Sequence, residues 1–284
     1  MTKLYAGPAA VDELLREVVP PLVGQAIESD AADRWFFVRY TDPDHHLRLR
    51  FHGRAALLHA QVLPAVEQAI QPLVDRDRIW RIQVDTYERE VERYGGPDAI
   101  DLAERIFFVD SEAVVEILGH LDEGDAGEEE RWRLALCGAD RILTDFGFDF
   151  EEKRAIAGTL RGQYGSVPRV TTPLRLQLAR KYRVLSKELA LLLAGRVDAD
   201  HPLRPGFEIL HQRSARLAPL IRELVELEKA GRVSVSRAAF AESVVHMHLN
   251  RLLRSAQNAQ EVVIYDFLGR AYASAVARHG IAAR

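Results

Sequence analysis

The stretch Trp35–Phe51, WFFVRYTDPDHHLRLRF, constrains the fold of this chain more than any other. It contains two strand-like runs, Trp35–Tyr40 and Leu47–Phe51, joined by a turn around Asp42, Pro43 and Asp44. In the second run Leu47, Leu49 and Phe51 alternate with Arg48 and Arg50. A strand sends successive side chains to opposite faces, so the three apolar groups point into a core and both guanidiniums point away from it. His46 and His52 share the arginine side. Up to four cationic groups on one face repel each other unless water or an anion meets them.

The rest of the chain supplies helices to cover such a sheet. Residues 9–28 carry Val11, Leu14, Leu15, Val18, Leu22 and Ile27 at helical spacing, with a bend expected at Pro20-Pro21. Residues 55–75 repeat the pattern, and Ile79–Tyr87 alternates as a third strand. After the charged segment Tyr87–Gly96, a helical stretch over 98–121 contains Asp110-Ser111-Glu112. That triplet resembles a fresh N-cap and predicts two helices there. Residues 122–130 are acidic and predict an exposed loop, 158–172 predict irregular chain, and 197–205 predict a linker. Helical spacing resumes over 131–144, 174–193, 207–230, 236–256 and 264–276, with Ser236 as the cap of the helix carrying His246. The fold class that follows is α+β, mostly helical with a small β-sheet near the N-terminal half. One domain spans 1–284, with a sheet-containing part over about 1–97 and a helical part over about 98–284.

Composition narrows the function. A formal charge of −4 over 284 residues argues against general nucleic-acid binding, so any anion site is local. The single cysteine, Cys137, excludes an intrachain disulfide and a multi-cysteine metal cluster, and suits a reducing cytoplasm. No run of 18 apolar residues spans a membrane and the N-terminus lacks a secretory core, so a cytoplasmic location is expected. No glycine-rich phosphate loop, H-E-x-x-H pair or G-x-S-x-G elbow occurs. His246 and His248, two apart on a helix, point roughly 200° apart and cannot share a metal, so no metal and no cofactor is assigned.

What remains is arginine-based. Arg48 and Arg50 share a strand face, and Arg89 and Arg93 share a face if their segment is helical. Guanidinium forks bind carboxylates, so converging arginines make a carboxylate site. The plainer reading is that Glu88, Glu90 and Glu92 neutralise them, and the sequence leaves both readings open. His246 has the side chain best suited to proton transfer near neutral pH, and Asn250 lies one turn further along the same face. A histidine beside an apolar stripe is also an ordinary half-buried residue.

These segments carry a resemblance. WFFVRYTDPDHHLRLRF, TYEREVERYGG, AERIFFVDSEAVVEIL and ESVVHMHLNRL, in this order, resemble the C-terminal domain of class I lanthipeptide dehydratases, which also occurs free-standing in thiopeptide systems. The resemblance runs from about Leu4 to the C-terminus. It implies elimination of glutamate from glutamylated Ser or Thr of a precursor peptide, leaving dehydroalanine or dehydrobutyrine. The implied residues are Arg48, Arg50 and His246, with Arg89 or Arg93 binding substrate; Asn250 is grouped with the substrate-binding residues on its one-turn spacing alone, from which it would orient the His246 ring. The implied partners are the glutamylated precursor peptide and a separate tRNA-dependent glutamylation protein, with no direct contact to nucleic acid. Two alternatives stand beside it. One is a pyridine synthase joining two dehydroalanines by a formal [4+2] cycloaddition; such members depart from the arginine motifs, which are intact here. The other is a non-catalytic subunit that binds the precursor peptide.

Overall fold

The computed structural model describes residues 1–164 and 171–282. Helix accounts for 69% of it, and the rest of the regular structure is a four-stranded antiparallel sheet near the N-terminus, as the α+β reading requires. The strands β1 (Thr2–Ala6), β2 (Arg34–Tyr40), β3 (His46–His52) and β4 (Ile79–Val84) lie in the order β2-β3-β1-β4. The opening hairpin is therefore β2–β3, with Val38 opposite Arg48 and Phe36 opposite Arg50. The sequence did not single out β1. It lies between β3 and β4 and pairs antiparallel with both, so those two strands are separated rather than adjacent.

One sheet face is apolar. Leu4, Trp35, Phe37, Leu47 and Leu49 are all buried there. Three N-terminal segments pack into the same core: α1 (Pro8–Glu13), which runs through a π-helical turn (Leu14–Val18) into α2 (Val19–Glu28), then α3 (Ala55–Leu57) with a second π turn (Leu58–Val62), and α4 (Leu63–Val74). Pro20 and Pro21 follow the π-helical turn just after Val19, where the regular i→i−4 ladder is already interrupted. The register sends Lys3, His46, Arg48, Arg50 and Gln83 to the other face.

The C-terminal part is helical: α5 (Pro97–His120), α6 (Gly124–Asp145), α7 (Phe150–Tyr164), α8 (Thr172–Leu193), α9 (Arg204–Lys229), α10 (Arg237–Leu252) and α11 (Gln257–Ala282). Three expectations need correction. Asp110-Ser111 does not start a new helix, because α5 runs through it unbroken and both side chains are buried with tertiary partners. Residues 124–130 are the first turns of α6 rather than a loop, and their acidic groups suit the positive end of a helix. Residues 158–164 continue α7, whereas the rest of the expected irregular stretch, 165–170, lies outside the described residues. Ser236 caps α10, its Oγ accepting from the N–H of Ala239 at 3.2 Å. At the sheet-to-helix junction Gly95 and Gly96 hold φ of +84° and +116°. A Cβ on Gly95 would lie 2.7 Å from Val233 Cγ1, so the Tyr94-Gly95-Gly96 turn needs glycine for both conformation and space.

Candidate functional site: stacked arginines on β3 and a histidine on α10

Arg48 and Arg50 project from the second sheet face, which they share with the buried Phe36 and Val38, and each is held by aromatic rings rather than by acids. The Arg48 guanidinium lies 3.5 Å from the centroid of Tyr40, and that of Arg50 lies 4.1 Å from Tyr87 and 5.2 Å from Phe36. Stacking of this kind fixes a guanidinium plane and leaves its N–H edge available. Nε of Arg48 donates to Nε2 of His46 at 3.0 Å, while Nδ1 of His46 bonds the carbonyl of Asp44 at 2.8 Å. That pattern requires a neutral His46, and burial, with Arg48 and Lys3 nearby, lowers its pKa accordingly. His46 thus aims Arg48. His52 is instead drawn off to Asp33 at 2.7 Å.

Among the described residues, no carboxylate lies within salt-bridge distance of Arg48 or Arg50. Burial depresses the pKa of Arg50, and the cations of Arg48 and Arg251 push the same way against Tyr87 and Glu90. Arg50 is therefore a desolvated cation without a close counter-charge. The Arg89 and Arg93 pair behaves differently. Arg89 makes a two-pronged bond to the buried Glu104 at 2.8 and 2.9 Å, and Arg93 bonds Glu90 at 2.9 Å. Their segment is a turn without regular helix, so the shared helical face does not form. The salt-bridge reading holds for these two, although for Arg89 the acid is Glu104, from α5.

On α10 the two histidines reach different partners. His246 sits partly exposed with Nδ1 at 3.1 Å from Glu261 of α11. His248 is fully buried and bonds Asp110 of α5 at 2.8 Å. Asp110 also receives Arg213 and Arg251, each at 3.0 Å. Burial alone would raise the Asp110 carboxyl, but these three partners outweigh it and hold it well below the ordinary carboxylate range. Gly138 makes room for this cluster: a Cβ there would sit 2.2 Å from His248 Nε2.

Asn250 does not touch the His246 ring in the way its one-turn spacing suggests. Its Oδ1 accepts from the backbone N–H of Arg39 at 3.0 Å, and its Nδ2 donates to the carbonyl of Arg39 at 2.9 Å and to Gln257 Oε1 at 2.7 Å. It pins α10 to β2, the partner strand of β3. Arg251 adds a second pin, Nε to the carbonyl of Phe37 at 3.0 Å. Sequence reasoning missed Glu261, Gln257 and Arg251. The first two lie four apart at the start of α11, a spacing visible in the sequence, but nothing there connects them to α10.

A helical bundle docked through α10 on the edge strand β2, whose hairpin partner β3 carries the two stacked arginines, defines the class: an α+β domain with a cationic, aromatic-lined sheet face. The model of the lantibiotic biosynthesis dehydratase C-terminal family matches residues 1–272, and the chain belongs to that family. It is 35% identical over 151 residues to the subtilin biosynthesis protein SpaB of Bacillus subtilis, covering 53% of this chain and 14% of that protein. It is 34% identical over 118 residues to the nisin biosynthesis protein NisB of Lactococcus lactis subsp. lactis, covering 41% and 11%. The matched segments are thus a small part of these curated relatives. Among solved structures, the tRNA-dependent lantibiotic dehydratase MibB from Microbispora sp. 107891 aligns with TM-score 0.72 and 23% identity, over 98% of this chain and 28% of that one. The pyridine synthase TbtD from thiomuracin biosynthesis aligns with TM-score 0.66 and 17% identity, over 96% and 97%. At these identities the solved structures establish the shared fold.

Proposed function

We propose that this chain is a lyase of lanthipeptide or thiopeptide biosynthesis, acting as one domain that eliminates glutamate from glutamylated Ser or Thr of a precursor peptide. The observation that carries the reading is the pair Arg48 and Arg50, aromatic-stacked and without a carboxylate partner among the described residues. Alternate residues on a strand are about 6.6 Å apart, so the two guanidiniums can engage both carboxyl groups of one glutamyl unit. In the step, a base removes the α-proton of the esterified residue. The C–H electron pair becomes the Cα=Cβ bond, the Cβ–O bond breaks, and glutamate departs with that electron pair as a carboxylate. The arginines stabilise charge as it develops on the departing group. His246 is the proton-transfer residue, and Arg93 is the third substrate contact: its pair with Glu90 is exposed and worth little, whereas Arg89 is held from both prongs by the buried Glu104. A separate tRNA-dependent glutamylation protein supplies the substrate, and the buried Cys137 suits a cytoplasmic setting.

Glutamate release from a glutamylated peptide, followed by mass spectrometry, tests this. Arg48→Ala, Arg50→Ala and His246→Ala should each slow release by roughly a hundredfold or more, the scale of a lost electrostatic or proton-transfer group. Unchanged rates in all three would overturn the proposal. The near full-length alignment with a free-standing pyridine synthase supports a second reading, cycloaddition. A bis-dehydroalanine peptide consumed with loss of its leader, and no glutamate release, would select it. Tight peptide binding with no mass change in either assay would indicate a non-catalytic subunit.

A further inference from the structure

Glu261 is fully buried, with no exposed side-chain surface. A carboxylate removed from water is costly unless hydrogen bonds meet its oxygens. Here Oε1 accepts from Gln257 Nε2 at 2.6 Å, and both oxygens face His246 Nδ1, at 3.1 and 3.3 Å. A carboxylate only accepts, so with Glu261 in that form the contact places a hydrogen on Nδ1.

The polarity of the surrounding chain fixes Glu261 Oε1 as an acceptor from the opposite end. The backbone N–H of Arg39 can only donate, which makes the bonded atom of Asn250 its carbonyl oxygen. The Asn250 amide nitrogen therefore faces Gln257 Oε1, and the Gln257 amide nitrogen faces Glu261. A fixed donor in the β2 backbone sets each amide in turn, and the sequence ends on the histidine ring.

The geometry points to Glu261 as the positioning residue of His246: it fixes the Nδ1–H tautomer, which makes Nε2 the basic nitrogen of the ring. Gln257 and Asn250 tie that orientation to β2, the strand paired with the one bearing Arg48 and Arg50. Asn250 thus acts on His246 through two intermediates rather than by contact. The effect on turnover rests on the elimination reading; the tautomer does not.

The test is nitrogen-15 NMR of the histidine rings in the full chain, with the His246 signal assigned by its loss in His246→Gln. Wild-type neutral His246 should be protonated on Nδ1. Glu261→Ala, or Glu261→Leu, which keeps bulk without an acceptor, should move the proton to Nε2, the form an unrestrained histidine prefers. In glutamate release the same variants should lose roughly ten- to a hundredfold in kcat with KM within about twofold, since the ring remains but is misdirected. A wild-type ring protonated on Nε2, or an unchanged tautomer in a folded variant, overturns the proposal. If wild-type protein releases no glutamate while the tautomer behaves as stated, the functional reading fails and this one stands.

Discussion

Asp110→Asn should be among the most destabilising single substitutions in the chain, for a reason visible in the structure. Asp110 lies at the centre of four helices and a strand. It accepts from His248 at 2.8 Å and from Arg213 and Arg251 at 3.0 Å, and both guanidiniums have no exposed surface. Arg213 keeps the carbonyl of Gly138 and Arg251 keeps that of Phe37, so neither is stripped of every bond. Each is nonetheless left as a buried cation without its counter-charge. Breaking a buried pair from one side costs about 3–5 kcal/mol, against a total stability on the order of 5–15 kcal/mol. At roughly 2–4 °C per kcal/mol for a large domain, the melting temperature should fall by about 6–20 °C.

The pH dependence separates charge from shape. A carboxylate with a depressed folded pKa stabilises above its unfolded value, near ~3.9, and loses that contribution as pH falls through the folded value. The gap between wild type and Asp110→Asn should therefore persist from neutral pH to about pH 4 and close only below it. His248 does not narrow it in between. Burial lowers its pKa, and removing the Asp110 charge lowers it further. Circular dichroism melts at several pH values measure this, with Glu223→Gln in the exposed Arg105–Glu223 pair as a control expected to cost under about 1 kcal/mol. A drop of less than about 2 °C for Asp110→Asn at neutral pH would refute the argument.

Gly138→Ala places a methyl 2.2 Å from His248 Nε2 and should cost about 1–3 kcal/mol or more in urea unfolding. Gly147→Ala has φ of +83° but open space around it, so its cost should be confined to about 1 kcal/mol of backbone strain. Asn250→Asp turns a donor into an acceptor facing the carbonyl of Arg39 and Gln257 Oε1, so its destabilisation should grow as pH rises and the new carboxyl ionises. Equal stability of that variant in mild acid and at neutral pH would count against the amide polarity argued here. Arg50→Lys keeps the charge and loses the planar fork over Tyr87, and glutamate release should fall nearly as far as in Arg50→Ala.

The hairpin was legible because alternation in HLRLRF is a local signal, and the strand carries it into the fold unchanged. β1 was not, since only Leu4 and Tyr5 among its five residues are large and apolar, and its place comes from pairing with a strand on each side. Asp110 and Ser111 misled for a related reason. Their cap-like pattern is genuine chemistry, but Asp110 meets Arg213, His248 and Arg251 instead of the helix's own N–H groups, and the Ser111 hydroxyl meets the N–H of Phe37. The shared face of Arg48 and Arg50 was readable from strand alternation, whereas the pairing of Arg89 with Glu104, fifteen residues on, left no such signal. Partnerships more than a helical turn apart leave no periodic trace.

α10 shows why one short segment, HMHLNR, carries so much of the site. Its helical period turns His246 toward α11, His248 toward α5, and Asn250 and Arg251 toward the backbone of β2. Three of these four contacts are fully or almost fully buried, and together they fix the helix against two neighbours, α5 and β2. His246 is the partly exposed one. Its position is consequently set by the other three: the Asp110 cluster fixes α10 against α5 and α9, and Asn250 and Arg251 fix its register on β2. The same strand holds Phe36 and Tyr40, the rings on which Arg50 and Arg48 rest. Histidine and arginines are thus referenced to one strand from its two edges, so the proposed site, built from residues about two hundred positions apart, has β2 as its common frame.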